Sequence, residues 1–174
     1  MKTVLLLRHA KSSWDDSGLA DFERPLAKRG KKDAPRIGEV LADFEMVPDI
    51  ILSSPAVRAK ETAELVAETS GYRHSIEWHH GFYGGGSEDL ISALQRLPNK
   101  IERAMLVGHN PTMEETVATL VTGHLTELHD NYSIKIPTGG LVCLELQIMD
   151  WTAVEPGDAV LQWFIVPRLI NAIG

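Results

Sequence analysis

Thr3-Val4-Leu5-Leu6-Leu7, running directly into Arg8-His9-Ala10-Lys11, is the stretch on which the fold turns. An apolar run of this length that stops at a charge reads as a strand buried on both faces, as in parallel sheets covered by helices. Residues 49–52, 75–78 and 104–107 are read as further strands. Amphipathic stretches separate them. A helix is expected after the polar loop at 21–30, reaching about Phe44, with Pro35 either in its first turns or kinking it. Ser54 and Pro55 read as N-cap and first residue of a helix that runs to about Ser70 and stops at Gly71. Ser87 caps a helix to Leu97, and Asn110-Pro111 opens one to about Thr122. Residues 141–148 and 160–166 are strands with no helix between them, which predicts an antiparallel edge pair. The β-α-β-α order gives an α/β fold, with a mostly parallel central sheet and helices on both faces. No repeat, low-complexity tract or long linker divides residues 1–174, which read as a single domain.

Composition narrows the function. With 17 Lys and Arg against 24 Asp and Glu, the net charge is −7. A general nucleic-acid or anionic-membrane binder would carry a basic excess, so neither partner is expected. The one cysteine, Cys143, excludes an internal disulfide, fits a reducing compartment and reads as core. Only residues 4–7 are continuously apolar near the start, short of the roughly 7–15 of a signal peptide and the about 20 of a membrane span. A soluble cytoplasmic protein is expected.

In a parallel sheet, ligands gather beyond the carboxyl ends of the strands. Arg8-His9-Ala10-Lys11 follows the first strand, Ser53-Ser54-Pro55 with Arg58 follows the second, and Gly108-His109-Asn110-Pro111 follows the 104–107 strand. Two arginines, two histidines and two helix starts therefore meet at one edge. Guanidinium forks and helix N-termini suit a phosphate dianion, and fixed positive charge assists phosphoryl transfer. A neutral imidazole can attack phosphorus and hold the group covalently. Strand alternation would send Arg8 and His9 to opposite faces, so the chain must leave the strand at this point.

Four segments in this order, LLLRHAKSSW, RPLAKRG, ILSSPAVRAKETAE and LVGHNPTMEE, resemble the histidine phosphatase superfamily. The nearest likeness is to its SixA-type phosphohistidine phosphatase branch, over about the first two-thirds of the chain. The resemblance implies a phosphoglycerate-mutase-like fold, a covalent phosphohistidine, no metal and no other cofactor. By position it makes His9 the nucleophile, Arg8 and Arg58 the phosphate clamp, and His109 the second pocket histidine. Asn110, beside His109, is added as a phosphate-binding residue. The substrate class it implies is phosphohistidine on a protein. A small phosphate ester is the alternative, as is a phosphoprotein-binding module with low turnover.

Two departures stand out. Asp15 occupies a place where mutase relatives have asparagine, so it must point away from phosphate or pair, for instance with Lys11. Many members also carry a catalytic glutamate after the third strand, where this chain reads Trp78-His79-His80-Gly81-Phe82-Tyr83. Glu77 and Glu88 flank that turn, and neither is assigned as the acid. His74, His79 and His80 lack the carboxylate or cysteine partners of a metal site. Gly84-Gly85-Gly86 lacks the lysine and serine of a P-loop and reads as a mobile loop. The basic run Lys28, Arg29, Lys31 and Lys32 reads as a solvated helix start.

Overall fold

The opening apolar run becomes a strand with a neighbour on each side. The computed structural model describes residues 1–123 and 134–173, and in it β1 (Lys2–Arg8) lies between β4 (Arg103–Gly108) and β5 (Leu141–Leu146). Past β4 come β2 (Ile50–Ser53) and the two-residue edge strand β3 (Glu77–Trp78). Past β5 the sheet ends at β6 (Ala159–Ile165). β1 to β4 pair in parallel, whereas β5 is antiparallel to both β1 and β6. The last pair is thus antiparallel as expected, but only β6 forms the edge. Because β5 is interior, it is buried along nearly its whole length instead of alternating.

Strand alternation sorts the core into two layers. Leu5, Leu7, Ile51, Met105 and Val107 face α1 (Lys28–Asp43) and α2 (Val57–Ser70). Val4, Leu6, Leu52 and Leu106 face α3 (Ser87–Gln95) and α4 (Thr112–Thr122), with Trp151 closing that side. Each fully buried leucine contributes about 1.5–3 kcal/mol. The terminal helix α5 (Pro167–Ile173) packs Ile170 against the first layer. Helix α1 continues through Pro35 to Asp43, and the Pro35 carbonyl accepts a hydrogen bond from Thr69 Oγ1 at 2.8 Å. Close approach of α1 and α2 requires Gly38, since a Cβ there would lie 2.6 Å from the Val66 carbonyl oxygen.

Two helices start later than their cap signals indicate, α2 at Val57 and α4 at Thr112, whereas α3 starts one residue early, with Ser87 already helical. Gly86 takes the N-cap place of α3, and Asp89 Oδ2 accepts its N–H at 3.1 Å. The same segment is tied down rather than a free loop, because Thr112 Oγ1 donates to the Gly85 carbonyl at 2.9 Å. The N-cap positions of α2 and α4 fall at Ala56 and Pro111, so Ser54 and Asn110 lie just outside the helices. No helix among the described residues is long and apolar enough to cross a membrane.

Candidate active site

Register brings the carboxyl ends of three strands together. Arg8 pairs with Gly108 across β1 and β4, and Ser53 pairs with Val107 across β2 and β4. The chain leaves β1 at Arg8, as convergence of Arg8 and His9 demanded. The His9 N–H bonds the Gly108 carbonyl at 2.9 Å, and Gly139 N–H bonds the carbonyls of Arg8 and His9 at 3.1 and 3.0 Å. Thr62 Oγ1 accepts the Ala10 N–H at 3.0 Å and donates to the Arg58 carbonyl at 2.6 Å. One hydroxyl therefore fixes the loop of His9 against the first turn of α2.

The imidazoles of His9 and His109 face each other with centroids 5.0 Å apart. His9 is 7% exposed, and its Nδ1 lies 2.7 Å from the Ala10 carbonyl oxygen. A carbonyl can only accept, so Nδ1 carries the proton and Nε2 keeps a bare lone pair. Burial lowers the His9 pKa to about 3, against its carbonyl bond and with help from the positive field of His109, Arg58 and Arg8. Burial also lowers His109 to about 4, with Arg58 and Arg8 assisting and Asp21 opposing. Both rings are neutral at pH 7. That is the state a nucleophilic imidazole needs.

Arg58 and Arg8 are held by oxygen acceptors. Arg58 donates to the Asp21 carbonyl at 2.5 Å and to Asp21 Oδ2 at 2.9 Å. Tyr83 OH donates to the same Oδ2 at 3.0 Å, and Arg24 to Oδ1 at 2.9 Å. Burial opposes ionisation of Asp21, but the bonds from Arg58 and Tyr83 outweigh it and hold the carboxyl below its usual range. Arg8 donates to the Ile136 carbonyl at 2.7 Å. Its Nε is buried without a partner among the described residues, as is His109 Nδ1, so each has hydrogen-bonding capacity that the described residues do not fill.

Asn110 differs from expectation. Its amide nitrogen donates to Glu114 Oε1 at 2.8 Å and to the Ile136 carbonyl at 2.9 Å. Both side-chain amide hydrogens are engaged, so the Asn110 side chain braces the acceptor of Arg8 and has no amide hydrogen left for phosphate. His74, His79 and His80 do not join the pair of histidines. His79 stacks on Phe82 and lies 3.5 Å from Glu77, and His74 meets Tyr72 edge-on. Asp15 is exposed and is in no ion pair among the described residues. Cys143 is buried core, its thiol pushed up to about 11 by burial.

Sequence reasoning missed three members of the site: Asp21, Tyr83 and Ser54, whose Oγ lies 2.8 Å from His109 Nε2. Tyr83 also sets its ring edge-on to His109, centroids 5.5 Å apart. The one available signal was RPLAKRG. Its Arg24 bonds Ser12 Oγ at 2.6 Å and the Ser13 carbonyl at 3.1 Å, with its guanidinium 3.3 Å from the Trp14 ring centroid. The first two motifs are thus one structure. Asp21, three residues before Arg24, is the link from it to Arg58.

A mostly parallel sheet with two neutral imidazoles and two guanidinium groups at its carboxyl edge defines a phosphoryl-transfer class of α/β protein. The chain belongs to the histidine phosphatase superfamily, whose branch 1 pattern matches residues 4–85. It is 34% identical over 164 residues to the uncharacterized protein Rv1276c of Mycobacterium tuberculosis, covering 93% of this chain and all of that one. It is similar to the crystal structure of SixA from Agrobacterium tumefaciens, with 31% identity, TM-score 0.76, and coverage of 95% and 98% of the two chains. The protein histidine phosphatase SixA complexed with tungstate shares the fold, with TM-score 0.79, 21% identity, and coverage of 97% and 99%. The fold is that of the phosphoglycerate-mutase-like phosphatases, and the protein is a phosphatase acting on a phosphorylated substrate.

Proposed function

We propose that the protein is a phosphohistidine phosphatase whose substrate is a phosphorylated protein. His9 Nε2 attacks phosphorus in line while Arg8, Arg58 and His109 hold the phosphoryl oxygens. The substrate P–N bond breaks, and its imidazole leaves with a proton taken from solvent. Water then attacks phospho-His9, releasing phosphate and restoring the ring. The two guanidinium groups supply the positive charge a metal would otherwise bring.

The state of Asp21 carries the choice of substrate. Expelling an alkoxide needs a proton donor, which contributes about 10²–10⁴-fold. Asp21 sits on Arg58 but is held ionised, so it has no proton to give. The other carboxylate beside an arginine of the clamp, Glu114, already accepts from Asn110 and from the Ile136 N–H at 2.9 Å. A phosphoramidate has a weak P–N bond and a leaving imidazole that protonates readily, so it suits a site without a donor. The test compares kcat/KM for a phosphohistidine peptide, an aryl phosphate and an alkyl phosphate from pH 5 to 9. The first two are expected to turn over well and the third poorly, with label trapped on His9 and lost in His9→Ala. Equal rates for all three would favour a small phosphate ester as substrate. Binding without turnover of any would favour a phosphoprotein-binding module.

A further inference from the structure

The Ser54 side chain is 0% exposed and has one hydrogen to place. Its oxygen accepts the Ala56 N–H at 3.3 Å, so that neighbour cannot take the hydrogen. Among the described residues, the remaining partner is His109 Nε2 at 2.8 Å. Leaving a buried hydroxyl hydrogen unbonded would cost about 1–3 kcal/mol. An imidazole nitrogen that accepts has no proton, so a neutral ring must then carry its proton on the other nitrogen. That nitrogen, His109 Nδ1, is buried and has no partner among the described residues.

We propose that Ser54 is a positioning residue, whose hydroxyl donates to His109 Nε2 and so fixes the ring with its proton on Nδ1, facing a phosphoryl oxygen as donor. The inference rests on reading the site as a phosphoryl-transfer centre. The opposite tautomer would present a lone pair to an anion and leave the Ser54 hydrogen unbonded. The charged neighbours of the ring are Arg8 and Arg58, which disfavour a second proton, and Asp21, which favours one. His9, the remaining ionisable neighbour in ring contact besides Tyr83, is itself neutral. The two histidines are thus set in the same tautomer by opposite devices. A carbonyl takes the Nδ1 proton of His9 and bares Nε2 for attack, whereas a hydroxyl fills the Nε2 lone pair of His109 and leaves an N–H for binding.

The test reads the tautomer directly, by long-range ¹H–¹⁵N correlation of ¹⁵N-labelled protein at pH 7.5 without substrate. The His109 signals are identified by their loss in His109→Gln. A ring protonated on Nδ1 is expected, and protonation on Nε2 overturns the proposal. Ser54→Ala should shift the ring toward the Nε2–H form and lower kcat on an aryl phosphate roughly 10- to 100-fold, with a smaller change in KM. Ser54→Thr, which keeps the hydroxyl, should retain the Nδ1–H pattern and most of the rate. An alanine variant with unchanged tautomer and rate also overturns the proposal. If Ser54→Ala does not fold, the wild-type and threonine spectra still decide. An Nδ1–H ring in a protein that turns over no phosphate compound would instead sink the phosphatase chemistry and leave the tautomer standing.

Discussion

The two imidazoles make the site acid-labile in a calculable direction. In the unfolded chain a histidine takes up its proton near pH 6.5, whereas folded His9 and His109 resist until about 3 and 4. Between those limits the unfolded state binds more protons, so stability rises with pH. It is complete above about pH 7 and declines as the pH falls from 6.5 toward 4. Asp21, with its lowered pKa, adds a loss in the same direction below its unfolded value of 3.8. Urea unfolding at pH 7.5 and pH 5 should show a lower midpoint at pH 5, with the difference reduced in His109→Gln. His9, the proposed nucleophile, in contrast stays neutral over this range, so kcat/KM should show no acid limb from His9 above pH 4 beyond that of the substrate. Arg8, His9, Arg58 and His109 were legible because each follows a strand end at short range. Asp21 and Tyr83 were not, since their bonds to the site span 37 and 62 residues and leave no local periodicity. Ser54 was read as a cap, a role serine fills so often that it hid the histidine 55 residues away.

At the level of elements, strand positions followed from apolar runs, and helix ends from Gly71 at its φ of 77°. Helix starts were less legible, because Ser and Asn beside Pro serve equally as caps and as site residues. The contact of α1 with α2 was also hidden, as a glycine inside a helix gives no sign of what approaches it. That contact is testable. Gly38→Ala should improve helix propensity yet destabilise the protein by about 1–3 kcal/mol through overpacking against Val66 and Thr69. Thermal unfolding should show a lower Tm, while kcat at 25 °C per folded molecule stays near the parent value. A raised Tm would mean that α1 and α2 separate without cost.

For the molecule as a whole, the charge that serves the site is built into the scaffold. Arg8 ends the central strand and Arg58 opens α2, each tied to acceptors from other segments. Activity is therefore expected to be complete in excess chelator and to be inhibited by vanadate as a phosphoryl mimic. Loss on chelation with recovery on adding a divalent cation would point to metal-assisted hydrolysis. The overall net charge of −7 gives the local cluster contrast, so raising the ionic strength should weaken the capture of an anionic substrate.

The central place of β1 also governs how the protein is made. Its parallel partner β4 lies about a hundred residues downstream, and its antiparallel partner β5 lies further still. A nascent chain therefore exposes this central strand long before its partners and must keep it unpaired until the 103–108 segment has left the ribosome. At about 5–20 residues per second, that interval lasts several seconds or more. Pairings of such long range close slowly, so early collapse and chaperone engagement should concentrate on the first strand. The two histidines, one on each side of that gap, cannot meet before it closes. Catalytic competence should thus arrive late and in one step with the central strand pairing, rather than growing as the helices form.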